Sequence, residues 1–287
     1  MGMHTTQMQA PPPSSDGPLS RAPLFAKADT YGGMLIDASK LPTDKSEFSR
    51  LLSESCDEWR SEGKRGLWLS LPIDQSHLVP AAVENGFTYH RATTKSLTLV
   101  RWLPETPCTI PNAPFHQVGV GAFVINEKEE LLMVKERSGP AAKYNIWKVP
   151  TGLIEPGEDL VDAVRREVEE ETGVRTMDEG AEVLSFRHAH PPASRPEGVS
   201  DLFFMVRLKL TPADDAQNIR VQETEIAEAR WIPLSEVADM PYYEKGGNLH
   251  EMVLASAMDE RAGFSLLKLS SSVRKSTPPS CIYRSRL

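Results

Sequence analysis

The segment from Gly152 to Val174 constrains the fold of this chain more than any other stretch of its sequence. Within it, Leu160–Glu171 has the periodicity of an α-helix, and Gly173 stands where a helix ends in a left-handed residue. At about 100° per residue, one stripe of this helix is aliphatic. The stripe consists of Leu160, Val164 and Val168. The helix is therefore expected to pack on a sheet through this narrow face.

Two glutamates belong to the same face. Glu167 and Glu171 fall on or beside the stripe, and Glu170 lies on its flank. The other charged side chains are expected to point into water: Glu158, Asp162, Arg165 and Glu169. A solvated helix face does not explain Glu167 and Glu171, because like charges four residues apart cost about a few tenths of a kcal/mol even when exposed. A cation should offset them, and Mg²⁺ prefers carboxylate oxygens, keeps several waters and bridges substrate phosphates.

The whole segment matches the pattern G-x5-E-x7-R-E-U-x-E-E-x-G-U, in which U is a bulky aliphatic residue, at all nine defined positions. This pattern is the signature of the Nudix hydrolases, and the chain resembles that superfamily. The resemblance implies an α/β fold, a Nudix α/β/α sandwich with a mixed sheet. It also implies Mg²⁺ as cofactor, with Mn²⁺ as a substitute, and hydrolysis of a diphosphate that links a nucleoside to another group.

The same resemblance assigns roles to residues of the segment. It implies metal ligands at Glu158, Glu167, Glu170 and Glu171, and at the backbone carbonyl of Gly152. Arg166 matches the family arginine that orients the carboxylates, and Glu170, Glu167 and Arg166 form the expected catalytic group. One of these glutamates, or one on a later loop, would be the general base. Glu223 and Glu225 are candidates for that loop position, with a solvated loop as the alternative.

Residues outside the segment are candidates for contact with the substrate. These are Trp147, Arg187, His188 and Glu225. Phe186 and His190 lie beside the predicted contacts, between two expected strands. Structural hydrogen bonding is the alternative for the histidines, and a place in the core is the alternative for Trp147.

The residues before the segment form a second, smaller unit. WRSEGKRGLWLSLPI and AAVENGFTYHRA resemble the pre-Nudix domain of one branch of the superfamily, which contains plant ADP-ribose/NADH pyrophosphatases and the animal fibroblast-growth-factor antisense Nudix protein. The resemblance implies an acetyltransferase-like α/β fold. The unit lacks a glycine-rich pyrophosphate loop, which argues against acetyl transfer. Contact between two copies of the chain, or a lid over the substrate, is expected instead.

The branch favours NADH or ADP-ribose as substrate, with AMP as one product. Coenzyme A or its acyl derivatives are the alternative, because the chain ends in Ser285-Arg286-Leu287, which is similar to the peroxisomal address Ser-Lys-Leu. The expected partner is an import receptor, and the expected location is the peroxisome or else the cytoplasm. A reading of another class is a catalytically silent binding or regulatory protein. The start, with Gly2 and Thr6, also fits an N-myristoylation pattern.

The composition along the chain, together with the positions of proline and glycine, indicates the domain boundaries. We expect a disordered tail over 1–29, a pre-Nudix domain over 30–105, a Nudix domain over 114–262 and a C-terminal tail over 263–287. A hairpin is expected around 126–129 and a last helix over 247–262.

The 287 residues carry 32 Lys and Arg against 40 Asp and Glu, a net charge of −8 that disfavours nucleic acid and anionic membranes as partners. No run approaches the ~20 apolar residues of a membrane helix. The cysteines are Cys56, Cys108 and Cys281, and they form neither a zinc spacing nor a disulfide framework, which favours a reducing compartment.

Overall fold

The computed structural model describes residues 23–191, 198–212, 218–245 and 247–255, and the backbone of two later strands. Contacts between residues divide the chain into two units, between Pro114 and Phe115. Three regions of the sequence analysis therefore lie outside the described residues: the N-terminal pattern at Gly2 and Thr6, most of the predicted N-terminal tail, and the last two residues, Arg286 and Leu287.

The first unit is a five-stranded sheet with helices on one face. The strands are β1 (Ala26–Ala28), β2 (Met34–Ile36), β3 (Gly66–Pro72), β4 (Thr88–Ala92) and β5 (Ser96–Trp102), in the order β1-β2-β3-β5-β4. The helices are α1 (Lys45–Ser61) and α2 (Val79–Glu84). Asp44 caps α1 by accepting a hydrogen bond from the backbone of Glu47 at 2.8 Å. The core forms between α1 and β3, where Phe48, Leu52, Cys56 and Trp59 meet Leu67, Leu69 and Leu71.

The second unit is built on a six-stranded mixed sheet. Its strands are β6 (His116–Val124), β8 (Thr151–Leu153), β9 (Thr176–Ala189), β10 (Ser200–Leu210), β12 (Phe264–Leu269) and β13 (Ser280–Ser285), in the order β12-β13-β9-β10-β6-β8. Strands β10 and β6 are parallel, and the other pairs are antiparallel. A separate antiparallel pair is formed by β7 (Glu130–Glu136) and β11 (Ile226–Pro233). The helices are α3 (Gly139–Lys143), α4 (Leu160–Thr172) and α5 (Leu234–Ala238), and His250–Ala255 forms a π-helix.

Two clusters of buried side chains cover the two faces of the mixed sheet. Val164 and Val168 of α4 pack with Val120 and Ala122 of β6. The other face contacts the β7–β11 pair, α5 and the π-helix, in a cluster that includes Phe123, Met205, Met133, Val237 and Val253. The expected α/β sandwich with a mixed sheet is confirmed. The alternation along β10 explains both clusters, because successive side chains of a strand point to opposite faces.

The hairpin expected around 126–129 forms only at its turn. Asn126 accepts backbone hydrogen bonds from Lys128 and Glu130, and one bridge joins Ile125 to Leu131. Beyond that bridge the strands separate, because β6 pairs with β10 and β8, whereas β7 pairs with β11. The predicted hairpin is therefore confined to its turn and the one bridge beside it. Both strands are apolar along most of their length, so each has its own place in a buried layer.

The C-terminal region differs from the expected helix and tail. Within the predicted helix over 247–262, the structure has the π-helix, and residues 256–263 are not described. Within the predicted tail, β12 and β13 form an antiparallel pair, and β13 also pairs with β9. Pairing with β13 gives β9 a neighbour on its outer edge, which supplies partners for its backbone polar groups. No helix in the described ranges is long and apolar enough to span a bilayer.

Candidate active site

The helix α4 presents its carboxylates as the sequence predicts. It begins after Asp159 and ends at Gly173, which has the left-handed φ of 70° and donates its N–H to the carbonyl of Glu169 at 2.8 Å. Glu171 is buried, the side chain of Glu167 is 15% exposed and that of Glu170 is 51% exposed. The carboxylates that share the buried face are therefore Glu167 and Glu171, with Glu170 at the border with solvent.

Gly152 gives Glu167 the space that it occupies. A Cβ at Gly152 would lie 1.8 Å from Cδ of Glu167 and 2.0 and 2.3 Å from its two oxygens. Only glycine allows strand β8 to pass this close to the carboxylate. The contact brings the backbone of β8 to the acidic face of α4. This arrangement is expected if the backbone of β8 and the carboxylates of α4 both supply oxygen ligands.

Arg166 of α4 binds groups of strand β8 and of the segment between β8 and α4. Its guanidinium binds both oxygens of Glu158, from Nε at 2.8 Å and from Nη2 at 3.0 Å. Nη1 donates to Glu167 at 2.8 Å and to Glu170 at 3.1 Å, and Nη2 also donates to the carbonyl of Leu153 at 3.1 Å. These bonds raise the pKa of Arg166 above its ordinary value. Arg166 thus fixes three carboxylates and one backbone carbonyl, as an orienting residue must.

Glu158 does not point into water, which corrects the sequence analysis. Its side chain is 17% exposed, because the turn before it, with Gly157 at a φ of 88°, brings the residue over Arg166. The hydrogen bonds from Arg166, followed by the N–H of Glu155, lower the pKa of Glu158 to about 2. Glu158 precedes α4, so the helical periodicity used for the prediction does not apply to it.

Burial dominates the electrostatics of the two inner glutamates. It raises the pKa of Glu171 from 4.5 to about 7, against the opposing effects of Lys148 and the N–H of Thr151. Burial also raises the pKa of Glu167, which Arg166 partly offsets. Lys148 was not predicted. Its Nζ lies 2.6 Å from a carboxylate oxygen of Glu136 and 2.5 Å from the hydroxyl of Thr151, so it is held beside the buried carboxylate.

These residues fit a divalent cation of the Mg²⁺ type. The donors are hard oxygens, the glycine at 152 leaves room beside Glu167, and burial without a metal disfavours the charged carboxylates that a cation would stabilise. In the present arrangement Arg166 takes one oxygen each of Glu167 and Glu170. Within the described part of the chain, no three His, Cys, Asp or Glu side chains already stand in metal-binding geometry.

A cleft of about 310 Å³ adjoins the loop. It is lined by Gln117, Gly119, Thr151, Gly152, Leu153, Arg187, Asp201 and Phe203. Nη2 of Arg187 lies 2.5 Å from Asp201, and its guanidinium lies over the ring of Phe203 at 5.4 Å. Nε of Arg187 is buried and has no hydrogen-bond partner within the described residues. The cleft therefore offers an aromatic ring, a carboxylate and a guanidinium beside Gly152.

Of the residues that line this cleft, the sequence singled out Gly152 and Arg187 but not the others. Phe203 lies close to two glycines of β6, where a Cβ at Gly119 or Gly121 would come within 2.9 Å of its ring. Asp201 and Phe203 alternate on one face of β10, which the sequence could have indicated. Their position next to Gln117 depends on the parallel pairing of β6 with β10, and nothing in the sequence fixes that register.

His188 lies away from the cleft, because it follows Arg187 in a strand and successive side chains point to opposite faces. Its Nε2 is 2.8 Å from Nε2 of His116, and its ring centroid is 4.3 Å from that of His190. Burial, followed by the neighbouring histidines, lowers the pKa of His188. His190 in turn contacts the hydroxyl of Ser200 at 3.0 Å. These contacts favour the structural alternative for the histidines, and Phe186 stacks on Phe204 on that face.

Trp147 and Glu225 occupy different surroundings. Lys135 and Arg230 lie over the indole of Trp147 at 4.6 and 5.7 Å, and the ring packs against the core cluster of the second unit. This environment favours the core alternative. Glu225 is exposed in a turn with Glu223, and its charge raises the pKa of Glu167. Glu225 is therefore within electrostatic reach of the glutamate cluster.

Comparison with known proteins agrees with this fold. A family model described as "Nudix hydrolase domain" matches residues 24–103, and one described as "NUDIX domain" matches residues 115–251. Nudix hydrolase 8 of Arabidopsis thaliana is 43% identical over 222 residues, which cover 77% of this chain and 58% of that protein. Nudix hydrolase 2 of the same plant is 39% identical over 264 residues, covering 90% and 91%. The Mus musculus protein "Nucleoside diphosphate-linked moiety X motif 6" is 38% identical over 224 residues, covering 76% and 68%.

The acidic helix α4, Gly152 and the mixed sheet are consistent with these matches. The chain belongs to the Nudix hydrolase family, in the branch that carries an additional domain before the catalytic one.

Proposed function

We propose that this enzyme hydrolyses the diphosphate of nucleoside diphosphates linked to another group, with NADH or ADP-ribose as the preferred substrate and AMP as one product. The observation that carries the proposal is the cluster of glutamates around Gly152 and Arg166, which opens next to the cleft at Arg187. The glutamate cluster can neutralise a diphosphate through a metal, and the cleft can hold the organic group attached to it.

Mg²⁺, held by Glu167, Glu170, Glu171 and the carbonyl of Gly152, would supply positive charge for the diphosphate oxygens. Arg166 keeps the carboxylates in place through its bonds to Glu158, Glu167 and Glu170. Water attacks one phosphorus, its P–O bond forms as the bridging P–O bond breaks, and the second phosphate leaves with the bridging oxygen. Glu170 is the proposed base that takes the proton of the water, because it is the most exposed carboxylate bound by Arg166.

The cleft supports a substrate with a planar organic group. Phe203 can stack on a ring, and Asp201 can accept a hydrogen bond from an amino group. The guanidinium of Arg187 lines the cleft and can donate to a ribose or phosphate oxygen. Both NADH and ADP-ribose have these features. The choice of these two substrates rests on the resemblance to the plant pyrophosphatases.

The test is a hydrolysis panel with Mg²⁺ in which NADH, NAD⁺, ADP-ribose, coenzyme A, acyl-coenzyme A and diadenosine polyphosphates are ranked by kcat/KM. Products are identified by mass. We expect NADH or ADP-ribose to rank first and to release AMP. A preference for a coenzyme A derivative would contradict the choice of substrate and favour the peroxisomal alternative. No turnover of any compound would contradict the proposal as a whole and favour the binding-protein alternative.

The Arg187→Met variant tests the cleft separately. Loss of the guanidinium should raise KM for the preferred substrate about tenfold or more, since a buried partner of the substrate is removed. The kcat should change little, because the glutamate cluster stays intact. Lys209→Met, which alters an exposed cation at the far end of β10, is the matched control.

A further inference from the structure

A second cavity lies in the first unit, on the face of its sheet that α1 does not cover. Its volume is about 410 Å³, which is within the range of small-molecule sites. The walls are largely aromatic or apolar and come from Tyr31, Trp68, Trp102, Ile110 and Pro111. The lining residues belong to this unit, so the cavity is separate from the glutamate cluster. The proposed hydrolysis makes no use of it.

Two of the side chains that line this cavity, Arg65 and Trp68, carry donors without partners among the described residues. The guanidinium of Arg65 lies over the ring of Trp102 at 4.9 Å and forms no ion pair within the described residues. The indole N–H of Trp68 likewise has no acceptor in that part of the chain, whereas the N–H of Trp102 is used by the carbonyl of Thr106 at 2.8 Å. Arg65 and Trp68 can therefore both donate to a ligand. Such donors beside aromatic rings suit an anion that also carries a planar ring.

Asp29 adds an acceptor at the same cavity. Its Oδ1 accepts the backbone N–H groups of Tyr31 and Gly33, at 2.8 and 2.7 Å. Its Oδ2 takes no part in these two bonds, and lies beside Gly33, where a Cβ would come within 2.5 Å of it. The cavity thus combines donors with one carboxylate acceptor. An amino group on the planar ring of a ligand would match this carboxylate.

The cavity is preformed. The segment that forms its outer wall is fixed by two bonds to the sheet, from Trp102 to Thr106 at 2.8 Å and between Nε2 of His90 and the carbonyl of Pro111 at 3.0 Å. Gly66 forms part of the floor, and a Cβ there would already touch Ile110 at 3.4 Å. A ligand would therefore meet an ordered site rather than having to order one, which reduces the cost of binding.

We propose that this cavity binds a nucleoside monophosphate. The base packs against the indole rings with its amino group toward Asp29, and the phosphate binds Arg65 and the N–H of Trp68. A purely apolar ligand would leave the cation of Arg65 and the carboxylate of Asp29 without partners in the complex. A simple anion would leave the aromatic walls unused.

The test is binding of AMP to the full chain by isothermal titration calorimetry, with quenching of tryptophan fluorescence as a second readout. We expect saturable binding that Arg65→Met and Trp102→Leu each weaken about tenfold or more. Arg60→Met, which removes an exposed arginine paired with Asp57, is the matched control and should bind as the wild type does. Thermal melts check that each variant is folded, and Arg65→Met keeps the test valid if Trp102→Leu fails to fold.

Two further probes separate this site from the catalytic one. Adenosine and ribose 5-phosphate each carry half of the recognised features, and both should bind at least tenfold more weakly than AMP. The Arg187→Met variant should retain AMP binding at the cavity. Absence of saturable binding would overturn the proposal, as would binding that Arg65→Met leaves unchanged or that Arg187→Met abolishes. Because turnover does not enter these measurements, failure here leaves the proposed hydrolysis untouched.

Discussion

Replacing Gly152 by alanine should disable the site through one misplaced carboxylate. The new Cβ would lie 1.8 Å from Cδ of Glu167, whereas ordinary van der Waals contact begins at 3.4 Å. Glu167 must therefore move by at least about 1.6 Å, since the alternative is to shift the backbone of β8. A misplacement of about 1 Å can cost about 10²-fold in rate. We expect kcat/KM to fall at least about 100-fold, which corresponds to about 2.7 kcal/mol.

The assay is steady-state hydrolysis of the best substrate at saturating Mg²⁺, with thermal melts to check folding. Glu167 carries its carboxylate at the end of a flexible side chain, so the fold should survive its movement. The control is Gly63→Ala, at a φ of 73° with no atom within 4 Å of the new Cβ. That change should cost about 1 kcal/mol of stability through backbone strain and leave kcat/KM unaltered. A folded Gly152→Ala variant that keeps more than half of the wild-type kcat/KM would refute the reasoning.

The remaining predictions concern charge and packing. Burial raises the pKa of Glu171 from 4.5 to about 7, so this carboxyl contributes stability to the metal-free protein that is full below pH 4.5 and lost as pH rises through 7. In urea titrations with EDTA, the free energy of unfolding of Glu171→Gln should therefore exceed that of the wild type by up to about 3 kcal/mol at pH 8 and equal it near pH 4.5. Free energies of unfolding that change with pH in parallel for the two proteins would be evidence against this. Arg166→Lys should lower kcat/KM about 10- to 100-fold and raise the Mg²⁺ concentration for half-maximal activity, because lysine cannot bind three carboxylates at once. Arg165→Lys is its neighbouring control, and equal activity of the two variants would contradict the role of Arg166. Trp147→Leu should lower the free energy of unfolding by about 2 kcal/mol and change KM by no more than about twofold. A tenfold rise in KM at unchanged stability would instead indicate that Trp147 contacts the substrate.

The sequence was most informative where local chemistry decides structure. The helix α4 was predicted from the spacing of Leu160, Val164 and Val168, and its end from Gly173, because both depend on neighbouring residues alone. The burial of Glu167 and Glu171 followed from the same helical periodicity. Interactions within about one helical turn were therefore readable without the structure.

Features that depend on pairing between strands far apart in the sequence could not be predicted from the sequence. The cleft requires Arg187 of β9, Asp201 of β10 and Gln117 of β6 to share one face, and this depends on the register of three strands. A shift of one residue would place His188 there instead of Arg187. The position of Lys148 beside Glu171 could not be predicted, because the two residues are 23 positions apart in the chain. The pairing of β7 with β11 was hidden for the same reason.

The most direct test of the account compares Glu170→Gln, Glu171→Gln and Glu169→Gln in one Mg²⁺-dependent assay of the best substrate. The three residues are consecutive on α4, but Glu169 is exposed and lies outside the bonds that Arg166 makes. We predict that the variants at 170 and 171 lose activity by orders of magnitude while remaining folded. The variant at 169 should keep the wild-type rate. Full activity in both Glu170→Gln and Glu171→Gln would contradict the assignment of the catalytic site.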